Sequence, residues 1–174
     1  MSLICYDEGM SEHIEPYKKT TILFPVRNPG IILGMKKRGH GKGWWNGFGG
    51  KLNEDETYEE AARRETFEES GIHIETLLHV ANLHFYFGNA LGVVSRVYVS
   101  KNFTGQPIET DEMRPELFAI NQIPYDAMWP ADKLWLPDVL EANAPPLGFV
   151  VHFDDDNRFT SIENVDAELL ETKF

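Results

Sequence analysis

Little in this 174-residue chain can cross-link, anchor in lipid or embrace a polyanion. The single cysteine, Cys5, excludes an internal disulfide and fits a reducing compartment such as the cytoplasm. No window approaches the ~18 continuous apolar residues of a membrane span. The opening "MSLICYDEGMSEHIEPYKK" has neither a basic start nor an apolar core of the exported kind, so a soluble, untargeted protein is expected. Cationic side chains are few: 16 Lys and Arg stand against 28 Asp and Glu, a formal charge of −12. That balance argues against a nucleic-acid polymer or membrane as partner, because a polyphosphate backbone demands a basic surface. A single nucleotide remains compatible, held through divalent cations that clustered carboxylates attract. Linkers, repeats and low-complexity tracts are also missing beyond residue 17. Residues 1–17 therefore read as a polar N-terminal arm, and 18–174 as one domain, expected to act as a monomer.

What is present alternates between strand and helix signals. "KTTILFPVR" and "GIILGMKKR" flank the turn signal "NPG", which predicts a hairpin, with Pro25 marking an edge or a bulge. Thr57 with Glu60 forms a capping box and Gly71 supplies a left-handed stop, framing about thirteen helical residues between them. "LLHVANLHFYF", "GVVSRVYVSKNF" and "ELFAINQI" read as strands, and "AMWPADKLWLPDVLEAN" as a short helix that Pro137 either breaks or starts. "PLGFVVHFDDDNRFTSIENV" closes the chain with two strands around an Asp/Asn-rich turn. A mixed sheet with two helices is an α+β arrangement.

The capped helix holds the chemistry. Tyr58, Ala61 and Ala62 share a stripe that continues through Glu65 and Glu69, so the inward face turns acidic halfway along. Glu65, Glu68 and Glu69 stand at i, i+3 and i+4 and project as neighbours. Carboxylates that close repel unless a cation lies between them, and Mg²⁺, or Mn²⁺ in its place, suits hard oxygen ligands. Arg64 adjoins the cluster and can pair with Glu60 or Glu68. A solvated acidic face is the bland alternative; an EF-hand is excluded by spacing. Walker A and dinucleotide loops are excluded too, since Trp45 and Leu52 stand where they need Gly and Ser, Thr or Gly.

Gly50, five residues, Glu56, seven residues, then "RETFEESGI" at 64–72 resembles the Nudix box. One position departs from its pattern: Thr66 stands where a bulky apolar residue is usual, for which a local cost in stability is expected. "ILGMKKRGHGKGWWNGFGGK", "DEMRP", "MWPADKLW" and the closing hairpin extend the similarity to the branch of Nudix hydrolases that acts on oxidised purine nucleoside triphosphates. The resemblance implies a mixed β-sheet sandwiched between α-helices, an α/β/α Nudix fold. It also implies Mg²⁺-dependent hydrolysis of substrates such as 8-oxo-dGTP or 2-hydroxy-dATP to the monophosphate and pyrophosphate. Other nucleoside diphosphate derivatives (dihydroneopterin triphosphate, a modified dATP, ADP-ribose) and a non-catalytic nucleotide-binding module are the alternatives.

By the same resemblance, the Gly49 carbonyl and the carboxylates of Glu65, Glu68, Glu69 and Glu112 are metal ligands. Either Glu69 or Glu112 serves as general base, and Arg64 orients the glutamates; Glu56 is structural. Substrate positions implied are Thr21, Lys36, Asn46, Phe48, Phe85, Phe87, Trp129 and Asp132, with Gly49, Gly50, Lys51, Pro130 and Ala131 beside them. Phe85 and Phe87 alternate on one strand face and could equally be core, Lys51 could be solvated, and Trp129 could be packing. A purine can stack on Trp129 while Asn46 and Asp132 meet its edge, Asp132 as acceptor or, if protonated, as donor. The family branch has two aspartates after Trp-Pro; here they are Ala131 and Asp132, and His40 replaces an aromatic residue. Both changes bear on base preference.

Overall fold

The computed structural model describes residues 17–141 and 146–171; Cys5 and nearly all of the expected arm lie outside them. In chain order these residues form β1 (Lys18–Arg27), β2 (Gly30–Lys36), β3 (Trp45–Asn46), α1 (Tyr58–Ser70), β4 (His73–Ile74), β5 (Leu78–Phe87), β6 (Ala90–Ser100), β7 (Phe103–Thr104), β8 (Met113–Ala119), α2 (Asp132–Glu141), β9 (Leu147–Phe153), β10 (Phe159–Val165) and α3 (Ala167–Glu171). Two 3-10 turns, Ile120–Gln122 and Tyr125–Ala127, connect β8 to α2.

Strand β1 is the spine. It runs parallel to β6 from Lys18↔Val93 to Pro25↔Ser100, and its last residues pair with β2 at Val26↔Ile31 and Arg27↔Gly30. The mixed sheet has the order β10-β9-β5-β6-β1-β2-β3, and β8 pairs with β2. Because strand residues alternate faces, Leu23, Ile32 and Tyr98 join Ala62 of α1 and Phe48 in one core, whereas Phe24, Leu33 and Val97 join Trp135 and Leu136 of α2 in another. Helices thus cover both faces, the sandwich implied by the sequence. The second core is anchored by Trp135, fully buried against Phe24 at a ring separation of 6.0 Å. Burying a side chain of this size contributes roughly 3 kcal/mol.

Helix α1 begins and ends where its caps place it. Thr57 Oγ1 accepts from the Glu60 N–H at 3.2 Å, Glu60 Oε2 accepts from the Thr57 N–H at 2.9 Å, and Gly71 adopts φ 72° while donating to the Phe67 carbonyl at 2.8 Å. Thr57→Ala removes one half of the box and is expected to lower stability by about 1 kcal/mol. An unchanged urea midpoint would refute this. Thr66 is wholly buried, and its hydroxyl is satisfied by the Ala62 carbonyl at 2.7 Å, so the unusual residue leaves no unmet polar atom.

Four details differ from the sequence reading. Pro25 lies in an inner strand, not at an edge. The N–H groups of Thr21 and Leu23 bond to Gly50 and Phe48 at 2.9 and 2.6 Å; Pro25 comes next in that alternation, where the neighbouring strand changes and no donor is needed. Pro137 neither starts nor breaks α2 but sits inside it, and the carbonyl four residues back belongs to exposed Lys133, where water can meet it. The strand expected at 116–123 starts earlier, at Met113, and gives way to a 3-10 turn at Ile120. The third helix, α3, is capped by Asp166, whose Oδ1 accepts from the Glu168 N–H at 3.0 Å, but at five residues it is too short for a helical period to announce it.

Candidate active site

The turn after β3 and the inward side of α1 meet because β1 holds the turn in place through its bonds to Phe48 and Gly50. A Cβ at Gly50 would lie 2.6 Å from the Glu65 carboxylate, so glycine is what lets that acid rest on the main chain. One residue earlier, the Gly49 N–H donates to Glu69 Oε2 at 2.9 Å. Glu69 is 2% exposed. Burial pushes its carboxyl up to about 7; the Gly49 N–H and Lys36 oppose the shift, while Glu65 and Glu112 add to it by repulsion. Glu65, Glu69 and Glu112 are therefore electrostatic neighbours, and Lys36 belongs to the same neighbourhood.

Arg64 organises the remaining acids. Its guanidinium grips Glu56 two-pronged at 2.7 and 2.8 Å, and Nη1 donates to Glu65 at 2.8 Å and to Glu68 at 3.2 Å. The expected alternative, Glu60, is engaged in the capping box instead. The Arg64 contact lowers the Glu56 carboxyl to about 2, and Glu56 also accepts from the Asn53 N–H at 2.8 Å, as a structural residue would. Opposite α1, Glu112 pairs with Arg38.

Among the described residues no group of three or more His, Cys, Asp or Glu is assembled to hold a metal ion. The four carboxylates are instead turned onto Arg64, the Gly49 amide and Arg38. The donor chemistry still fits a hard divalent cation: all are carboxylates, three come from one helix turn, and the buried one already feels the charge of two others.

The implied base pocket lies at the start of α2. Asp132 is 6% exposed; Trp135 Nε1 donates to its Oδ1 at 3.1 Å, and its Oδ2 is buried without a partner. Burial pushes this carboxyl up to about 7, opposed by the hydrogen bonds from Trp135 and the Trp129 backbone. Thr21 Oγ1 is likewise buried and unpartnered. Trp129 stacks on His40 at 4.8 Å and lies 4.9 Å from Trp44, so its ring is part of an aromatic cluster with the β2–β3 loop. Phe85 and Phe87 share one face of β5, half-buried against Phe153. Phe48 is wholly enclosed in the α1-side core, which makes its ring packing rather than an open contact surface, and Ala131 is buried at 2% exposure. Asn46 is half-buried, its Oδ1 accepting from the Gly47 N–H at 2.9 Å. Lys51 is exposed and lines a groove of about 550 Å³ with Lys18, Lys19 and Glu54.

Residues that sequence reasoning missed are Thr110, Lys37, Arg38 and Trp44. Thr110 Oγ1 spans from the Glu69 carbonyl at 3.3 Å to the N–H groups of Glu112 and Met113 at 3.2 and 3.1 Å, tying the Glu112 loop to α1. The only sequence signal was its place two residues before Glu112.

Residues 16–139 match the NUDIX domain family, and the chain belongs to that family. It is a hydrolase, and enzymes of this family generally need a divalent metal. Over 125 residues, 71% of this chain and 80% of the relative, it is 46% identical to the oxidized purine nucleoside triphosphate hydrolase of Danio rerio. The protein of the same name from Mus musculus is 42% identical over 126 residues, 72% of this chain and 79% of the relative. Among solved structures, the MutT protein of Bacillus halodurans superposes with a TM-score of 0.75 at 20% identity, over 84% of this chain and 97% of that one. A MutT NUDIX hydrolase of Burkholderia pseudomallei gives 0.63 at 28% identity, over 75% and 100%. No helix among the described residues is long and apolar enough to cross a membrane.

Proposed function

We propose that the protein hydrolyses purine nucleoside triphosphates, oxidised purines such as 8-oxo-dGTP or 2-hydroxy-dATP among them, to the monophosphate and pyrophosphate. The observation that supports this base class best is Asp132: a nine-tenths buried carboxyl with an unpartnered Oδ2, three residues from Trp129, is a polar group set aside for a ligand. Relatives at 42–46% identity that carry the name of this activity point the same way.

In this reading Glu65, Glu68, Glu69, Glu112 and the Gly49 carbonyl hold Mg²⁺. The ion, when bound, neutralises polyphosphate charge and acts as a Lewis acid. Glu69 or Glu112 takes the proton of the attacking water as its oxygen bonds to phosphorus and the α–β phosphoanhydride link breaks toward pyrophosphate. Arg64 holds Glu65 and Glu68 in their rotamers. At the other end, Trp129 offers a stacking face, Asn46 an amide and Asp132 its Oδ2, with Thr21, Lys36, Phe85 and Phe87 completing the surround. The chain acts as a monomer on free nucleotides in the cytoplasm, a reading supported by its charge of −12 and lone cysteine.

Ala131 removes one carboxylate from the implied edge-reading pair, which favours a shifted base preference. The test is pyrophosphate release from 8-oxo-dGTP, 2-hydroxy-dATP, dGTP and dATP by wild type and Ala131→Asp, with two rivals alongside: dihydroneopterin triphosphate, read by the same pyrophosphate release, and ADP-ribose, read by formation of AMP and ribose 5-phosphate. The oxidised purines are expected to lead, and Ala131→Asp to change their kcat/KM ratio about tenfold. No pyrophosphate from any purine triphosphate would sink the proposal.

A further inference from the structure

Glu112 is the one carboxylate of the proposed metal set that a loop supplies, and its main chain and side chain are held by different means. The main chain is pinned: the Lys37 N–H donates to the Glu112 carbonyl at 2.7 Å, and Thr110 Oγ1 accepts from the Glu112 N–H at 3.2 Å. Lys37 Nζ adds a bond to the Thr110 carbonyl at 2.7 Å and an ion pair with Glu109 at 2.7 Å. The carboxylate is held by Arg38, in a pair whose side chains are 63% and 43% exposed. Ion pairs that open to water are weak and exchange readily. Arg64, by contrast, is only 27% exposed and grips its acids from several sides.

A fixed backbone with a loosely paired carboxylate is an arrangement for trading one cation for another. Resting on the reading of Glu112 as a metal ligand, we propose that Arg38 is an exchangeable counter-cation, which neutralises Glu112 until a divalent ion binds and then turns its guanidinium to the phosphates of the nucleotide. The pairing accounts for the carboxylates not being gathered into a cluster: each is satisfied by an internal partner, but Arg64 is also held two-pronged by Glu56, whereas Arg38 meets Glu112 in a pair open to water. The released guanidinium has a suitable second partner, because its planar fork matches phosphate oxygens. The same loop reaches the base end as well, where His40 and Trp44 lie on Trp129, so Arg38 is carried by a segment that spans the proposed substrate.

The two halves of the exchange have opposite signs, which separates them from damage to the fold. Mn²⁺ binding without nucleotide is read from the EPR signal of the free ion, and binding of the non-hydrolysable α,β-imido-dGTP is read by calorimetry at saturating Mn²⁺. Arg38→Ala is expected to bind Mn²⁺ about two- to fivefold more tightly, since a competing cation is gone, and the analogue several-fold more weakly; Arg38→Lys should fall between. Arg38 is exposed, and a thermal melt checks that each variant folds. Mn²⁺ affinity that stays the same or weakens in Arg38→Ala overturns the exchange, and unchanged analogue affinity overturns the phosphate contact. Glu112→Gln separates the two levels of the argument. If it leaves Mn²⁺ affinity unchanged, Glu112 is no ligand and the metal assignment itself falls; if it weakens Mn²⁺ binding while Arg38→Ala does nothing, only the role of Arg38 falls.

Discussion

Glu69→Gln is expected to lower turnover about 10³-fold while the protein stays folded, because general-base and metal-ligand roles each carry effects of that order. The substitution preserves shape, and a glutamine oxygen can still accept from the Gly49 N–H. What disappears is the negative charge. That charge is itself costly in the metal-free protein: the carboxyl is raised from 4.5 to about 7, so the associated stability is fully present below about pH 4.5 and lost as pH rises through about 7. At 1.36 kcal/mol per pKa unit the loss is on the order of 3 kcal/mol. Glu69→Gln should therefore melt higher than wild type at pH 8 in a chelator and match it near pH 4. Retained turnover would show that the metal and proton chemistry sits elsewhere; equal melting at pH 8 would show that the buried charge is already compensated.

Asp132→Ala is expected to lower kcat/KM for purine triphosphates by about 10²-fold or more, since a base edge meeting an empty pocket wall leaves its own polar atoms unpaired. Asp132→Asn, which keeps a donor and an acceptor, should lose much less. The sign of the pH effect follows from the raised carboxyl, about 7 against 3.8 unperturbed. Below that value Oδ2 carries a proton and donates; above it, the group only accepts. Stability contributed by the neutral form is likewise present below about pH 3.8 and lost through about pH 7. Preference for bases presenting an acceptor at that position should fall between pH 6 and 8 in the wild type and stay flat in Asp132→Asn. A wild-type ratio of kcat/KM values that does not vary with pH would exclude titration of Asp132 as the discriminator.

The parts of the fold that were legible in the sequence are those decided locally. Thr57, Glu60 and Gly71 define α1 to the residue because caps act within one turn of chain. The fixed spacing from Gly50 to Ile72 was readable for the same reason: one glycine contact and one helix turn set the geometry of Glu65 and Glu69. What could not be read depends on neighbours distant in sequence. Pro25 was misplaced because its harmlessness comes from Phe48 and β2, which share one side of β1. The pairing of Arg38 with Glu112 spans 74 residues, and that of Thr110 with Glu69 spans 41; neither leaves a local pattern. The stack of His40 and Trp44 on Trp129 was equally hidden, since a lone aromatic near a proline looks the same whether it packs, stacks or waits for a ligand.

The alternation of β1 has a consequence for how such a protein can change. Leu23 faces the core beneath α1 and Phe24 the core beneath α2, so the carboxylate helix and the Trp129–Asp132 corner are supported by opposite sides of one strand. Ala131 packs in the core beneath α2, so a substitution there leaves the core beneath α1 untouched. Under the proposed assignment of roles, selection at Ala131 retunes recognition and leaves the carboxylate helix intact, a separability that makes Ala131 a natural place for lineages to diverge.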